Sequence, residues 1–233
     1  MFVRFTNFLE EQQLCTKEHR ILLAVSGGID SVVMTDLFVR AGYDCMIAHC
    51  NFQLRGTDSD MDEEQVRALA RSLDIPIQVK RFDVEAELRE GGTSLQMAAR
   101  DLRYAWFDLL LSEHALDRLA TAHNKNDAVE TFFLNLSRGS GIRGLTGIPT
   151  SRGKIIRPLL FASRQEIESY QKERRLEYRE DSSNVETKYK RNKIRHDVLP
   201  VMEQINPAFF DVMEGNMERL REVLEIYDHL SLI

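Results

Sequence analysis

Apolar residues recur along this chain with two distinct spacings. Short apolar runs at Ile21 to Val25, Cys45 to His49, Ile75 to Val79, Leu116 to Ala122 and Ile155 to Leu160 have the length of β-strands. The stretches between them are spaced as helices. Val33, Leu37 and Ala41 fall at i, i+4 and i+8, and Val66, Leu69, Ala70 and Leu73 at i, i+3, i+4 and i+7. Leu95 to Glu113 is the longest helical stretch before the last third of the chain. Strands alternating with helices predict an α/β fold. The expected sheet is doubly wound and mainly parallel, with five strands and helices on both faces, because each strand-helix-strand crossover returns right-handed across it.

After Leu160 the pattern becomes charged and mostly helical. Ser163-Arg164-Gln165-Glu166 has the form of a capping box that opens a helix to about Arg175. Glu180-Asp181-Ser182-Ser183-Asn184 reads as a turn and Lys190 to Val198 as a basic helix. Pro207 begins a last helix with apolar residues at Met213, Met217, Leu220, Leu224 and Tyr227. The expected organisation is an α/β domain over residues 1–160 and a helical segment over 161–233. The heptad-like spacing of the last helix leaves a homodimer open.

Composition narrows the class. With 233 residues and 43% apolar content the chain can bury one substantial core. The net charge of -6 conceals an asymmetry, since residues 151–200 hold 13 Lys or Arg against 8 Asp or Glu. A basic surface on an acidic body fits either a polyanionic partner or a solvated helix face. Cys15, Cys45 and Cys50 show no C-x-x-C spacing, which argues against a disulfide framework and against a zinc or iron-sulfur site. No segment is apolar over the ~18 residues that a membrane span needs, and the first residues lack the apolar core of a secretory leader. A cytosolic protein with no membrane partner is expected.

The sharpest chemical signal is Ser26-Gly27-Gly28-Ile29-Asp30-Ser31, placed between an apolar strand and a helix. Two glycines let the backbone turn tightly against an anion, and the N–H groups and dipole of the helix start attract negative charge. Serine hydroxyls add donors. Asp30 would repel phosphate by itself, so its presence points to a Mg2+ ion bridging carboxylate and phosphates. Glycine and a capping serine also serve ordinary strand-to-helix turns, and only the whole hexapeptide in this context favours a nucleotide. The loop lacks G-x-x-x-x-G-K-[ST] and G-x-G-x-x-G, so neither a Walker-type NTPase nor a dinucleotide enzyme fits it well. It resembles the loop of the N-type ATP pyrophosphatases, which cleave ATP between the α- and β-phosphates and adenylate a substrate oxygen.

Further stretches sharpen that resemblance. They are His49-Cys50-Asn51-Phe52-Gln53-Leu54-Arg55, Gln96-Met97-Ala98-Ala99-Arg100, Thr121-Ala122-His123-Asn124-Lys125-Asn126-Asp127-Ala128-Val129-Glu130-Thr131, Ser137-Arg138-Gly139-Ser140-Gly141, Arg157-Pro158-Leu159-Leu160, the turn at 180–184, and Arg191-Asn192-Lys193-Ile194-Arg195. Together and in this order they resemble the tRNA(Ile)-lysidine synthetases, from about Ile21 to Pro200. The resemblance implies ligation of L-lysine to C2 of the wobble cytidine of tRNA(Ile) with a CAU anticodon, using ATP and Mg2+ and passing through an adenylated tRNA. Members of that family usually continue into further tRNA-binding domains, so either a truncated chain or a short form is expected.

Site residues follow from the same resemblance. Ser26, Gly27, Gly28, Asp30 and Ser31 would hold phosphates and metal, with Ala24, Asn51 and His123 beside the nucleotide. Arg100 would neutralise charge on the α-phosphate, although an exposed helix arginine also suits an i, i+4 pair. Asp127 and Glu130, at i and i+3 of a helix start, would meet the substrate ammonium or else cap the helix. Arg138, Arg191, Asn192 and Arg195 would contact tRNA, while Arg138-Gly139 also suits a helix C-cap. Tyr104 and Trp106 read as core packing rather than base-stacking platforms. The family commonly shows H-H-x-D-D-Q-x-E-T where this chain has Asn124, Asn126 and Ala128. Two other functions share the loop: a tRNA 2-thiolation enzyme and a nucleotide-binding module without turnover.

Overall fold

The computed structural model describes residues 1–54, 56–83, 95–179 and 186–230. Arg55 and the turn expected at 180–184 lie outside the described residues. Two compact units divide the chain. One comprises Met1–Ala122, Thr150–Leu159 and Gln165–Ser182, and the other His123–Pro149, Leu160–Arg164 and Ser183–Ile233.

The first unit opens with helix α1 (Phe2–Glu11), an element that the pattern reading does not supply, because only Phe5 and Leu9 of its ten residues are buried. Then come β1 (Arg20–Ala24), α2 (Ile29–Arg40), β2 (Asp44–Asn51), α3 (Thr57–Leu73), β3 (Ile77–Arg81), α4 (Leu95–Glu113) and β4 (Arg118–Ala120). After a part of the chain that belongs to the second unit, α5 (Lys125–Ser137) and α6 (Ile142–Leu145), come β5 (Ser151–Arg152), β6 (Ile155–Ile156) and α7 (Arg164–Arg174). Among the described residues the sheet has six strands rather than five, in the order β3-β2-β1-β4-β6-β5. All neighbours are parallel except β5, which pairs antiparallel with β6 through Ser151↔Ile156 and Arg152↔Ile155. Two exposed polar residues form β5, so no apolar run marks it. β3 begins at Ile77, two residues later than expected. Pro76 has no N–H for a ladder, and its carbonyl instead accepts the Ile47 N–H at 2.8 Å.

Parallel strands buried on both faces read as unbroken apolar runs, and Ile21, Leu22 and Leu23 are all at 0% exposure. Leu22, Met46, Ala48 and Leu119 pack with Phe82 and with Ala98, Trp106, Phe107, Leu110 and Leu111 of α4. Trp106 is thus core, and Tyr104 packs half-buried against the same cluster. Residues of opposite parity point to the other face. Nine of the twelve residues of α2 are buried, and its Phe38 meets Phe5 of α1 edge-on at 5.1 Å. β1 lies between β2 and β4, so the chain leaves it in both directions. The carboxyl end of β1 is therefore the switch point where open α/β sheets bind ligands.

The second unit adds α8 (Glu186–Lys193), a π-helical turn (Ile194–Val198), α9 (Leu199–Ile205) and α10 (Phe209–Leu230). Proline explains the π turn within the expected basic helix. Pro200 cannot donate to the carbonyl four residues back, and its ring crowds that carbonyl. The Leu199 N–H bonds Ile194 O, five residues back. The rings of Phe133 and Phe209 meet at a tilt of 46° with centroids 6.1 Å apart, and buried Lys125 bonds Asp211 at 2.9 Å and Glu214 at 2.7 Å, fixing α10 on α5. Toward its end α10 exposes Ile226, Tyr227 and Leu230.

Asp36 shows how α2 is tied to α7 within the first unit. It is 2% exposed, accepts the Tyr170 hydroxyl at 2.6 Å and lies 3.3 Å from Arg174. Asp36→Ala should lower the unfolding free energy by about 2–4 kcal/mol, because it leaves the buried Tyr170 O–H without its acceptor, though the oxygen keeps Arg40, and removes the partner of an arginine. Urea denaturation measures this, and Asp36→Asn should lose less.

Candidate functional site

The first unit carries the loop at the end of β1. Val25 remains tied to the sheet, its N–H donating to Ala48 O at 3.0 Å and its carbonyl facing Nδ1 of buried His49 at 2.8 Å. Burial holds His49 below the usual imidazole range, leaving a neutral ring with its Nδ1–H directed at Val25. Gly27 then takes φ +96°, where a side chain would be strained, and an added Cβ would touch Val66 Cγ2 at 3.4 Å. Gly28 is the N-cap of α2 and has no side-chain cap, so the first N–H groups of the helix keep their capacity for an anion.

Serine hydroxyls occupy the loop interior. Ser31 Oγ donates to Gly28 O at 2.8 Å, while the longer contacts run from Gly27 N to Ser31 Oγ (3.3 Å), Gly28 N to Ser26 Oγ (3.3 Å) and Ser26 Oγ to Ser31 Oγ (3.4 Å). Asp30 is half-buried in the first turn of α2, where the helix dipole favours a carboxylate. Ala24 ends β1, pairing with Ala48, and Asn51 ends β2.

Asn51 is held by a carboxylate that the pattern reading misses. Its Nδ2 donates to Glu63 Oε2 at 2.9 Å, and its Oδ1 accepts the Gln53 N–H at 2.9 Å, so the amide has one orientation. Glu63 also takes Arg67 at 2.9 Å and Arg81 at 2.9 Å. Burial alone would raise the Glu63 carboxyl, but hydrogen bonds from Asn51, Arg81 and Arg67 outweigh it and hold it at about 2. Asp62 and Glu63 lie four and three residues before Val66, in line with the buried stripe. Charged residues at stripe positions are the signal that could have found them.

Arg100 is exposed on α4, with its guanidinium 4.8 Å from the Tyr104 ring centre. Arg157 is 7% exposed; burial lowers its basicity, Tyr104 partly opposes that, and the charges of Arg100 and Arg152 lower it further. Three guanidiniums thus share one neighbourhood of the first unit.

The second unit holds the remaining candidates. His123 is half-buried just before α5. Asn124 caps α5 in a complete capping box: its Oδ1 accepts the Asp127 N–H at 3.0 Å, and Asp127 Oδ2 accepts the Asn124 N–H at 3.1 Å. Asn126 Oδ1 accepts the Arg164 N–H at 2.9 Å. Two of the three departures from the family pattern are therefore helix caps. Glu130 is at 0% exposure and is clasped by Arg195, at 2.5 Å through Nε and 2.9 Å through Nη2, with Arg191 Nε at 3.6 Å. Arg195 also lies 3.7 Å from Asp127. Burial raises the Glu130 carboxyl, opposed by Arg195 and Arg191 and reinforced by Asp127. Asp127 and Glu130, expected for an ammonium, and Arg191 and Arg195, expected for tRNA, thus form one ion cluster. Asn192 is half-buried on α8. Arg138 is exposed at the C-cap of α5, followed by Gly139 at φ +77° with its N–H on Leu136 O, so the helix stop is real.

The depressed Glu63 carboxyl predicts a pH dependence. Its stabilisation is complete above the ordinary value of 4.5 and is lost as pH falls through about 2. Glu63→Gln should cost roughly 3 kcal/mol at pH 7 and less than half of that at pH 3. Urea midpoints at the two pH values test the sign, and an equal loss at both would refute it.

Comparison with known proteins agrees with this architecture. A family model described as the PP-loop domain matches residues 2–202. A Porphyromonas gingivalis protein named tRNA(Ile)-lysidine synthase is 42% identical over 226 residues, covering 96% of this chain and 50% of its own. One of the same name from Bacteroides thetaiotaomicron is 40% identical over 225 residues, covering 97% and 53%. The chain thus spans about half the length of these curated relatives. Among solved structures, a U34-tRNA thiolase from Methanococcus maripaludis, with its 4Fe–4S cluster, superposes with a TM-score of 0.75 over 95% of this chain and 80% of that one. At 18% identity the likeness is one of fold. The model match from residue 2 to 202, around a glycine loop at the switch point of a parallel sheet, establishes that the chain belongs to the PP-loop family, whose domain binds ATP.

Proposed function

We propose that this chain is the PP-loop portion of a tRNA(Ile)-lysidine synthase. It would join L-lysine to C2 of the wobble cytidine of a tRNA(Ile) with a CAU anticodon, at the expense of ATP. The observation that carries the reading is 40–42% identity to proteins of that name over nearly the whole chain. The loop suits the first half of the reaction. N–H groups of Gly27 and Gly28 and the hydroxyls of Ser26 and Ser31, now joined by contacts of 3.3–3.4 Å, would turn to the ATP phosphates. Asp30 fits a Mg2+ ion, being the carboxylate of an otherwise anion-seeking loop. Such an ion would offset charge on the phosphates.

In the proposed sequence the cytosine C2 oxygen bonds the α-phosphorus as the bond to the β-phosphate breaks, releasing pyrophosphate. Arg100 would steady the charge gathering on the α-phosphate. The lysine amine then bonds C2, the C2–O bond breaks, AMP departs with the oxygen and the nitrogen sheds its proton. Asp127 and Glu130 would receive the ammonium of lysine. Their present partners, Arg191 and Arg195, would turn toward tRNA phosphates, with Asn192 and Arg138 as further contacts. Ala24, Asn51 and His123 would flank the nucleotide. Burial pushes the Cys45 and Cys50 thiols up to about 12, which disfavours the thiolate that sulfur transfer requires.

Mass spectrometry of nucleosides after incubation with ATP, lysine and the tRNA should find a lysine adduct on cytidine, and pyrophosphate release should require lysine. Lysine-independent release or a thiolated nucleoside would reject the reading. Asp30→Asn should lower pyrophosphate release at least ~100-fold with the fold intact. An active variant with normal Mg2+ dependence would remove Asp30 from the metal role.

A further inference from the structure

We propose that Arg179 is a positioning residue for the phosphate loop, locked in place by Asp62 of α3. This rests on the reading of residues 26–31 as the ATP phosphate cradle. The Arg179 N–H donates to Gly27 O at 3.0 Å. Its guanidinium is anchored on α3, with Nε 2.8 Å from Asp62 Oδ1 and Nη2 3.6 Å from Asp58 Oδ1. The Asp62 side chain is 11% exposed and that of Arg179 31%, so the pair is shielded from competing water. α3 also supports the loop directly, because the space beside Gly27 is bounded by Val66 Cγ2 and Asp62 O.

Peptide planarity gives the contact its meaning. In a trans peptide the carbonyl of one residue and the N–H of the next point in opposite directions. Fixing Gly27 O on Arg179 therefore aims the Gly28 N–H to the opposite side of that peptide, where it now meets Ser26 Oγ at 3.3 Å. Gly28 is the N-cap of α2, so this N–H is among the donors an anion would meet first. When phosphate draws away the serine hydroxyls, the loop loses its long internal contacts of 3.3–3.4 Å. The strap from Arg179 then keeps Gly27 at positive φ and Gly28 aimed. Asp62 sets the backbone at 179 through the guanidinium, and Arg179 sets the loop through its N–H.

Equilibrium binding of ATP and of adenosine to the whole chain tests the strap. Arg179→Ala and Asp62→Ala should each weaken ATP about tenfold, and the double variant should be no weaker than either, since one charge-assisted contact is being removed. Adenosine has no phosphate to meet the loop and should keep its affinity within about twofold in every variant. Arg179→Lys, which keeps the charge, should recover part of the loss and serves in place of Arg179→Ala if thermal unfolding shows the latter to be unfolded. Unchanged ATP affinity, additive losses, or equal loss of adenosine would each overturn the proposal. A native chain that binds adenosine but gains nothing from the triphosphate would instead overturn the reading of the cradle.

Discussion

A charge removed from water must be met by another, and in this protein such meetings hold the parts near the candidate site. Asp36, Glu63, Lys125 and Glu130 are all nearly or wholly inaccessible, and each is bound by charged or polar partners from another element. Within the first unit Asp36 ties α2 to α7, and Glu63 joins α3 to the ends of β2 and β3. Within the second, Lys125 joins α5 to α10, and Glu130 joins α5 to the helix carrying Arg191 and the turn carrying Arg195. Removing either member leaves an isolated charge or an orphaned donor, which costs far more than an exposed pair contributes. Positions that hold such charges are fixed by electrostatics as firmly as the core positions are by packing.

The same rule bears on chemistry. A carboxylate would be costly to bury alone, and Glu130 avoids that by holding Arg195 and Arg191. Any incoming ammonium must compete with guanidiniums already in place. The loop presents the milder version of the problem. Its hydroxyls and N–H groups satisfy one another through long contacts that a phosphate can displace at small cost.

Much of this was legible in the chain because one physical period dominated each stretch. β1, the glycine loop and α2 follow from an apolar run, two glycines and helical spacing, and α4 spans Leu95–Glu113 as its pattern predicts. What escaped depended on partners distant in sequence. α1 has only two buried residues, and β5 is two exposed ones held by pairing alone. Arg179 looks like an ordinary solvated charge, and only their stripe positions set Asp62 and Glu63 apart from one, until folding brings residue 179 to the loop and 63 to Asn51. For Asp127 the capping that its spacing allows is present as a complete capping box, and its role toward an ammonium belongs to the proposal. The basic helix at 190–198 was recognisable as basic, but its π turn reflects Pro200, just beyond it.

The small hairpin at the margin of the sheet has its own consequence. β5 is two residues long, both exposed, and reaches β6 through Gly153 at φ +58°, the backbone sign that two-residue hairpin turns require. A parallel sheet with a long bare margin offers unpaired N–H and C=O groups to any extended chain. Here that margin ends in a reversed, polar stub, and the opposite margin, β3, ends in exposed Lys80 and Arg81. Neither border suits the addition of a foreign strand, so self-association through sheet extension is disfavoured even though the sheet interior is almost entirely aliphatic.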